Sequence, residues 1–94
     1  MELHEIKTRR DTIESKVSEL RDMLGVVALK DTIDSIEKKT YENDFWDDHD
    51  HAQKTIRKLK RLRNKYNAYK SLEDKLENID LAVELIEMGE DAPS

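Results

Sequence analysis

Apolar residues recur every three or four positions along most of the chain, the spacing that places them on one face of an α-helix. The first series ends at Leu24, and Gly25 follows where a residue free to adopt positive φ can end a helix. We therefore predict a first helix over about residues 2–24, with Arg10 as the one polar member of its apolar series. The apolar members are Leu3, Ile6, Ile13, Val17, Leu20 and Leu24.

A second, shorter series begins directly after Gly25 and predicts a helix over about residues 26–41. Its members are Val26, Leu29, Ile33 and Ile36. Asn43 and Asp44 then interrupt the pattern, and Phe45 and Trp46 place two large rings side by side. We expect this aromatic pair to cover the open end of a helical hairpin, and an exposed binding anchor is the alternative.

The third series predicts one long helix over about residues 48–88, with Asp47 as its N-cap. Gly89 and Pro93 supply the stop signal, and a capping-box pattern at Ser71 marks the place where the helix could break. At ~1.5 Å per residue such a helix is about 60 Å long. Its apolar members are Ala52, Ile56, Leu59, Leu62, Tyr66, Tyr69, Leu72, Leu76, Ile79, Val83 and Ile86.

These elements predict an all-α fold: a helical hairpin plus one long helix, in an elongated, coiled-coil-like three-helix arrangement. The composition agrees, because two glycines and one proline cannot supply the tight turns of a β-sandwich or barrel. With 36% hydrophobic and 41% charged residues, the chain can build narrow helical seams and no thick core. We predict a single helical domain over residues 1–94.

The third helix is about as long as the first two together, so part of its apolar face could lack a partner. An unpaired stripe over Tyr69 to Ile86 favours either a homodimer or a fragment of a longer chain, and we expect an N-terminal fragment. The absence of cysteine fits a reducing compartment, and no segment approaches the ~20 apolar residues of a membrane span. We expect a cytoplasmic protein without membrane contact.

Charge is unevenly distributed along the predicted third helix. Residues 54–70 carry eight basic residues and no acidic one, whereas the segment from Ser71 onward is strongly acidic. The basic residues could be a solvated face or pair with acids of the first two helices, could contact RNA or the ribosome, or could face the acidic half of a second copy. The candidates for RNA contact are Lys54, Arg57, Lys58, Lys60, Arg61, Arg63 and Lys65, with Lys70 at the end of the stretch.

No residue pattern in this chain predicts catalysis or a cofactor. His49 and His51 stand two positions apart at the start of a helix, so they point in different directions and are a poor metal pair. The serines have no histidine placed by sequence to activate them, and no glycine-rich loop is present to bind phosphate. We expect no enzyme activity, no metal and no cofactor.

Three segments, in their order and separations, resemble the N-terminal domain of the bacterial peptide chain release factor 2 family. The first is Asn43-Asp44-Phe45-Trp46-Asp47-Asp48, the second is Ala52-Gln53, and the third is Leu81-Ala82-Val83-Glu84-Leu85-Ile86-Glu87. Asp44, Phe45, Trp46, Asp47, Ala52 and Gln53 are therefore interpreted as family-like and structural.

The resemblance implies a part of a class I factor that recognises UGA and UAA codons and triggers hydrolysis of peptidyl-tRNA. The family's Ser-Pro-Phe decoding tripeptide and Gly-Gly-Gln hydrolysis motif are both absent from this sequence, so no decoding or catalytic residue is carried over. In that family the first domain is helical and reaches toward the stalk base of the large ribosomal subunit. The expected partners are the ribosome and the remaining domains of the same chain; the alternative is a standalone helical adaptor or coiled-coil dimerisation protein.

Overall fold

The computed structural model describes residues 2–91, with side chains described as far as residue 89. Three helices account for most of this range: α1 at Leu3–Leu24, α2 at Val26–Thr40 and α3 at His49–Asp91. A short 3-10 turn, Phe45–Asp47, lies between α2 and α3. The all-α prediction is confirmed, since two helices joined at Gly25 precede one long helix.

Gly25 forms the whole junction between α1 and α2. Its φ of 57° and ψ of 54° lie in the left-handed region, and its carbonyl accepts the first hydrogen bond of α2, from Leu29 N–H at 2.8 Å. The junction therefore depends on the backbone freedom of glycine and on no side-chain cap.

The start of α3 differs by one residue from the expected cap. Asp48, rather than Asp47, accepts a hydrogen bond from the backbone N–H of His51 through its Oδ1, at 3.1 Å. Asp47 belongs to the 3-10 turn, where its own N–H donates to the carbonyl of Asp44 at 3.1 Å. The cap of α3 is therefore Asp48, one residue after the predicted Asp47, because Asp47 is the last residue of the 3-10 turn.

Helix α3 is continuous through Ser71, where a break was considered, and it extends past the predicted end at residue 88. Gly89 lies inside the helix and does not have a positive φ. A glycine within a helix costs only ~1 kcal/mol, so it weakens the helix without ending it. Pro93, the other predicted stop signal, lies outside the described residues.

The protein divides into two compact units. The central unit comprises residues 22–68, and the terminal unit comprises the residues up to 21 together with those from 69 onward. The prediction of a single domain over 1–94 stays a prediction.

In the central unit, α2 packs on the first half of α3. Ile33, Ile36 and Leu59 form the buried cluster. Leu29, Leu62 and Tyr66 pack against it and are partly buried. Burial of such side chains provides ~1.5–3 kcal/mol each and orients this part of α3.

In the terminal unit, α1 pairs with the second half of α3 through one apolar face and several ion pairs. Val17 and Tyr69 are its buried side chains, at 3% and 2% exposure. Arg10 of α1 pairs with Asp80 of α3, and Lys7 pairs with Glu87. The polar member of the first apolar series is therefore matched by an acidic residue on α3.

No helix among the described residues is long and apolar enough to cross a membrane.

Candidate nucleic-acid interface

The basic residues of α3 lie on the surface of the central unit. Every basic side chain between Lys54 and Lys65 is exposed. Positions three, four and seven apart share one side of a helix, so Lys54, Lys58, Arg61 and Lys65 form a single stripe. Eleven residues of helix separate its ends, a distance of about 16 Å.

The side chains of six of the predicted basic residues form no hydrogen bond or ion pair with any described residue, and we call these six the basic surface. They are Lys54, Arg57, Lys58, Lys60, Arg61 and Lys65. Since an exposed ion pair gains only ~0–1 kcal/mol, an unpaired cation is not itself unusual. A group of six without a partner means that this positive charge is not used within the central unit.

Arg63 has a different role from its neighbours. Its Nε and Nη2 both donate to Oε1 of Glu37, at 3.0 and 2.7 Å, which joins α3 to α2. Lys70 donates to Oε1 of Glu73 at 2.7 Å on its own helix. Of the seven candidates for RNA contact, Arg63 is therefore paired with an acidic residue of α2, as one of the alternatives from sequence predicted.

The two tyrosines within the basic stretch belong to packed faces rather than to the basic surface. Tyr66 packs on the buried cluster, with the Nζ of Lys30 5.5 Å from its ring centre. Tyr69 is buried in the terminal unit, where its hydroxyl accepts from Nε of Arg21 at 2.7 Å and donates to Glu73 at 2.6 Å. The interleaved aromatic residues are thus unavailable for stacking on bases.

Electrostatics around Tyr69 follow from this network. Burial, reinforced by the hydrogen bond to Glu73, raises the pKa of the Tyr69 phenol above its ordinary value. The hydrogen bond from Lys70, followed by that from Tyr69, lowers the pKa of Glu73. The network therefore keeps the phenol neutral and the carboxylate charged at pH 7.

The two aromatic residues of the 3-10 turn differ in burial. Phe45 is buried at 8% exposure, as expected for a residue that covers the hairpin end, whereas Trp46 is 54% exposed. The two rings meet edge to face at 4.9 Å between centres, with an interplanar angle of 90°. Ala52 is buried and Gln53 is exposed. Trp46 therefore fits the alternative of an exposed anchor, although its neighbour does not.

Two hollows open on either side of this turn. Phe45 lines one of about 300 Å³ together with Lys39, His51, Lys54 and Lys58. Trp46 lines the other, of about 430 Å³, together with Gln53, Ile56 and Arg57. Neither hollow has a carboxylate in its lining.

Sequence reasoning missed several of these lining residues. Lys39 was outside the basic stretch, and His51 was considered only as a metal ligand. Ile56 was assigned to the apolar face, but it is 38% exposed. Thr55 rather than Ile56 takes the seam position of α3, and no local signal in the sequence distinguishes the two.

Within residues 2–91, no group of three or more histidine, cysteine or acidic side chains is arranged to hold a metal ion. His49 and His51 are both exposed, and the ring of His51 stands 6.4 Å from that of Phe45.

Fold and surface together define a class of protein: a small all-α protein whose longest helix follows a heptad-like register and carries a basic surface that is unpaired among the described residues. Within that class the chain belongs to the PCRF domain family, whose model matches residues 29–93. No solved structure matches the chain.

Several similar curated proteins are named peptide chain release factor 2. The one from Staphylococcus saprophyticus is 39% identical over 80 residues, covering 85% of this chain and 21% of the relative. The one from Lactiplantibacillus plantarum is 35% identical over 92 residues, covering 98% of this chain and 24% of the relative. The one from Petrotoga mobilis is 28% identical over 91 residues, covering 97% and 24%. The resemblance predicted from the three segments is confirmed, and the chain spans about a quarter of the length of these relatives.

Proposed function

We propose that this chain is a non-catalytic, ribosome-facing domain of a peptide chain release factor that acts in translation termination. The family match and the similar proteins named release factor 2 support the class of factor. In the full-length factor, other domains of the same chain would read UGA and UAA and trigger hydrolysis, because neither a Ser-Pro-Phe nor a Gly-Gly-Gln segment occurs in these 94 residues. Its place of action is the cytoplasm, near the stalk base of the large ribosomal subunit.

The observation that carries this proposal is the basic surface. Its six exposed cations have no partner among the described residues, and four of them follow one side of α3 for about 16 Å. A row of unpaired cations of this length suits a phosphate backbone, since neutralised phosphates release their counterions. Ribosomal RNA offers such a backbone.

Charge reversal at Arg57, Arg61 and Lys65 in a full-length factor tests the proposal. We expect weaker ribosome association and a flatter dependence of affinity on salt, by about 0.7–0.9 in slope for each phosphate that the variant no longer neutralises. The measurement is equilibrium binding to ribosomes at several salt concentrations.

A matched control changes the net charge by the same amount elsewhere. Arg9, Lys16 and Lys75 are exposed cations of the terminal unit that form no ion pair with a described residue, and reversing them leaves the basic surface intact. The proposal requires the control to bind as the unmodified factor does. Equal salt slopes in the two variants would contradict it.

A self-associating adaptor is the second candidate. Leu81, Leu85 and Met88 are 52%, 68% and 62% exposed, and their spacing places them on one side of α3. A second copy could cover this stripe. The family match favours the first proposal, and the oligomeric state decides between the two.

A further inference from the structure

The 3-10 turn stands between two hollows of different chemistry within the central unit. One hollow is lined by Lys39, Lys54 and Lys58 together with the apolar residues Ile36 and Phe45. In the other hollow, Trp46 and Ile56 provide apolar surface next to the guanidinium of Arg57. The T-shaped contact between Phe45 and Trp46 connects the two.

The first hollow suits a phosphate group. Three lysines from two different helices line it, and its lining contains no carboxylate to compete for them. None of the three lysines has an ion pair among the described residues. A lysine hollow of this composition favours an anion of high charge density over a neutral ligand.

The second hollow suits a flat, aromatic group. Trp46 keeps more than half of its surface exposed while the buried ring of Phe45 holds it from one side. Stacking of a base on such a ring is worth ~1–3 kcal/mol by substitution, and an adjacent arginine adds a contact to a phosphate or a base face. The apolar side chain of Ile56 extends the platform.

An RNA ligand explains both hollows better than a protein does. Tryptophan and arginine are common at protein interfaces, but lysine is depleted there and is a frequent phosphate ligand. Four aspartates, Asp44, Asp47, Asp48 and Asp50, lie in the 3-10 turn or within three residues of it in the sequence, and none of them lines either hollow. Base stacking also requires an unpaired nucleotide, because bases within a duplex are already stacked.

The geometry points to a two-part RNA site at the 3-10 turn: an unpaired base stacks on Trp46, and the neighbouring backbone phosphate enters the hollow formed by Lys39, Lys54 and Lys58. This inference rests on the proposed function and deepens it, because it names the feature of the RNA that the domain recognises. It also assigns a binding role to a residue of the Asp-Phe-Trp-Asp segment.

The chain carries its own probe for this site. Trp46 is the one tryptophan of the sequence, so its fluorescence reports on this position alone. We expect a single-stranded RNA of about 12 nucleotides, within the roughly 4–16 nucleotide size of single-strand sites, to quench it on titration. A duplex RNA with the same number of phosphates is expected to bind without comparable quenching.

Substitutions separate the stacking contact from the charge contacts. Because the Trp46→Leu variant lacks the fluorescent residue, binding of the variants is measured by the anisotropy of labelled RNA. Trp46→Leu is expected to weaken single-strand binding at least about five-fold, with an unchanged salt slope, because it removes no charge. Tyr41→Leu is the matched control, since Tyr41 is 84% exposed in the same unit and lines neither hollow. Lys54→Ala with Lys58→Ala is expected to weaken both RNA forms and to lower the salt slope by about 1–2. Circular dichroism checks that each variant remains helical.

The outcomes distinguish this inference from the proposed function. Salt-dependent RNA binding without quenching, and unchanged by Trp46→Leu, would overturn the stacking site while leaving the basic surface in place. No binding of either RNA by the chain would overturn the two-part site, and ribosome association of the charge-reversal variants would then decide the proposed function separately. Quenching of Trp46 fluorescence by RNA-free ribosomal proteins, without quenching by RNA, would overturn the two-part RNA site in favour of a protein partner.

Discussion

Arg10 shows how a single charged residue can belong to an apolar face. Its side chain is 24% exposed, and its Nε and Nη2 donate to the two carboxylate oxygens of Asp80 at 2.5 and 3.1 Å. It also pairs with Glu14 on its own helix. The hydrogen bond from Arg10 lowers the pKa of Asp80 below its ordinary value of 3.8, against the opposing effect of desolvation. The fork geometry of arginine makes this a directional contact.

The acid sensitivity of the protein is therefore expected to depend on Asp80. The folded chain keeps this carboxylate charged at pH values where the unfolded chain protonates it, so stability falls as the pH drops through the range below about 3.8. Asp80→Asn is expected to be less stable than the unmodified chain at pH 7 and to lose less stability on acidification.

Urea unfolding at a series of pH values measures this effect. Asp31→Asn is a suitable control, because Asp31 is exposed and has no ion pair among the described residues. Parallel pH profiles for the unmodified chain and Asp80→Asn would contradict the assigned role of the ion pair.

At the scale of elements, a strict heptad register governs which face of α3 is protected. The protected positions of α3 include a series that alternates steps of three and four, although several of its members are polar, and Ile79, beside Asp80 of the series, is also half-buried. Ile56, Leu72 and Ile86 stand one position away from this register and are 38%, 40% and 41% exposed. The protected series is Ala52, Thr55, Leu59, Leu62, Tyr66, Tyr69, Glu73, Leu76, Asp80, Val83 and Glu87.

The acidic residues in this register form ion pairs at regular intervals. Glu73, Asp80 and Glu87 recur every seven residues, and each forms an ion pair with a basic residue of α1. Their partners are Arg21, Arg10 and Lys7. Pairing of this kind fixes the register of two helices more sharply than apolar contacts alone, as charged positions do in coiled coils.

The junction between α1 and α2 makes a direct prediction about glycine. Gly25 has a φ of 57°, and a Cβ added there meets nothing within 4 Å, so Gly25→Ala tests backbone strain without a steric clash. We expect a loss of about 1 kcal/mol, since the left-handed region disfavours residues with a Cβ by this amount. Thermal or urea unfolding measures it.

Gly89→Ala is the matched control within the same chain. Gly89 is helical without a positive φ, and a Cβ there also meets nothing within 4 Å. We expect this substitution to leave stability unchanged or raise it by up to ~1 kcal/mol. Equal effects of the two substitutions would show that the conformation of Gly25 costs no strain.

At the scale of the whole molecule, charge is separated along the chain while the net charge is only -5. The acidic positions of α3 that face α1 are used in ion pairs, whereas most of the basic stretch is unpaired among the described residues. The antiparallel self-association considered from sequence would need the acidic half of α3 to be free. Its seam acids are already engaged, which favours an external anionic partner.

The oligomeric state is the corresponding prediction. The exposed stripe of Leu81, Leu85 and Met88 spans about two helical turns, and a stable coiled coil needs an apolar seam over about 3–4 heptads. We expect sedimentation of this chain at micromolar concentration to show a monomer. A dimer that Leu85→Glu dissociates would support the self-associating adaptor instead.

The sequence alone predicted the elements because their signals are local. Apolar spacing places the three helices within a few residues of their observed bounds, and Gly25 identifies the junction without any tertiary information. The basic stretch and the Asp-Phe-Trp-Asp segment were likewise visible, since each is contiguous in the chain.

Only the tertiary structure decided how these residues are used. Periodicity cannot choose between Thr55 and Ile56 for the seam, because the choice depends on the register of the opposing helix. Contacts such as Arg10 with Asp80, 70 residues apart, join separate helices and leave no local trace. The same holds for Phe45 and Trp46: adjacent rings on one short turn must point in different directions, so packing buries one and leaves the other exposed.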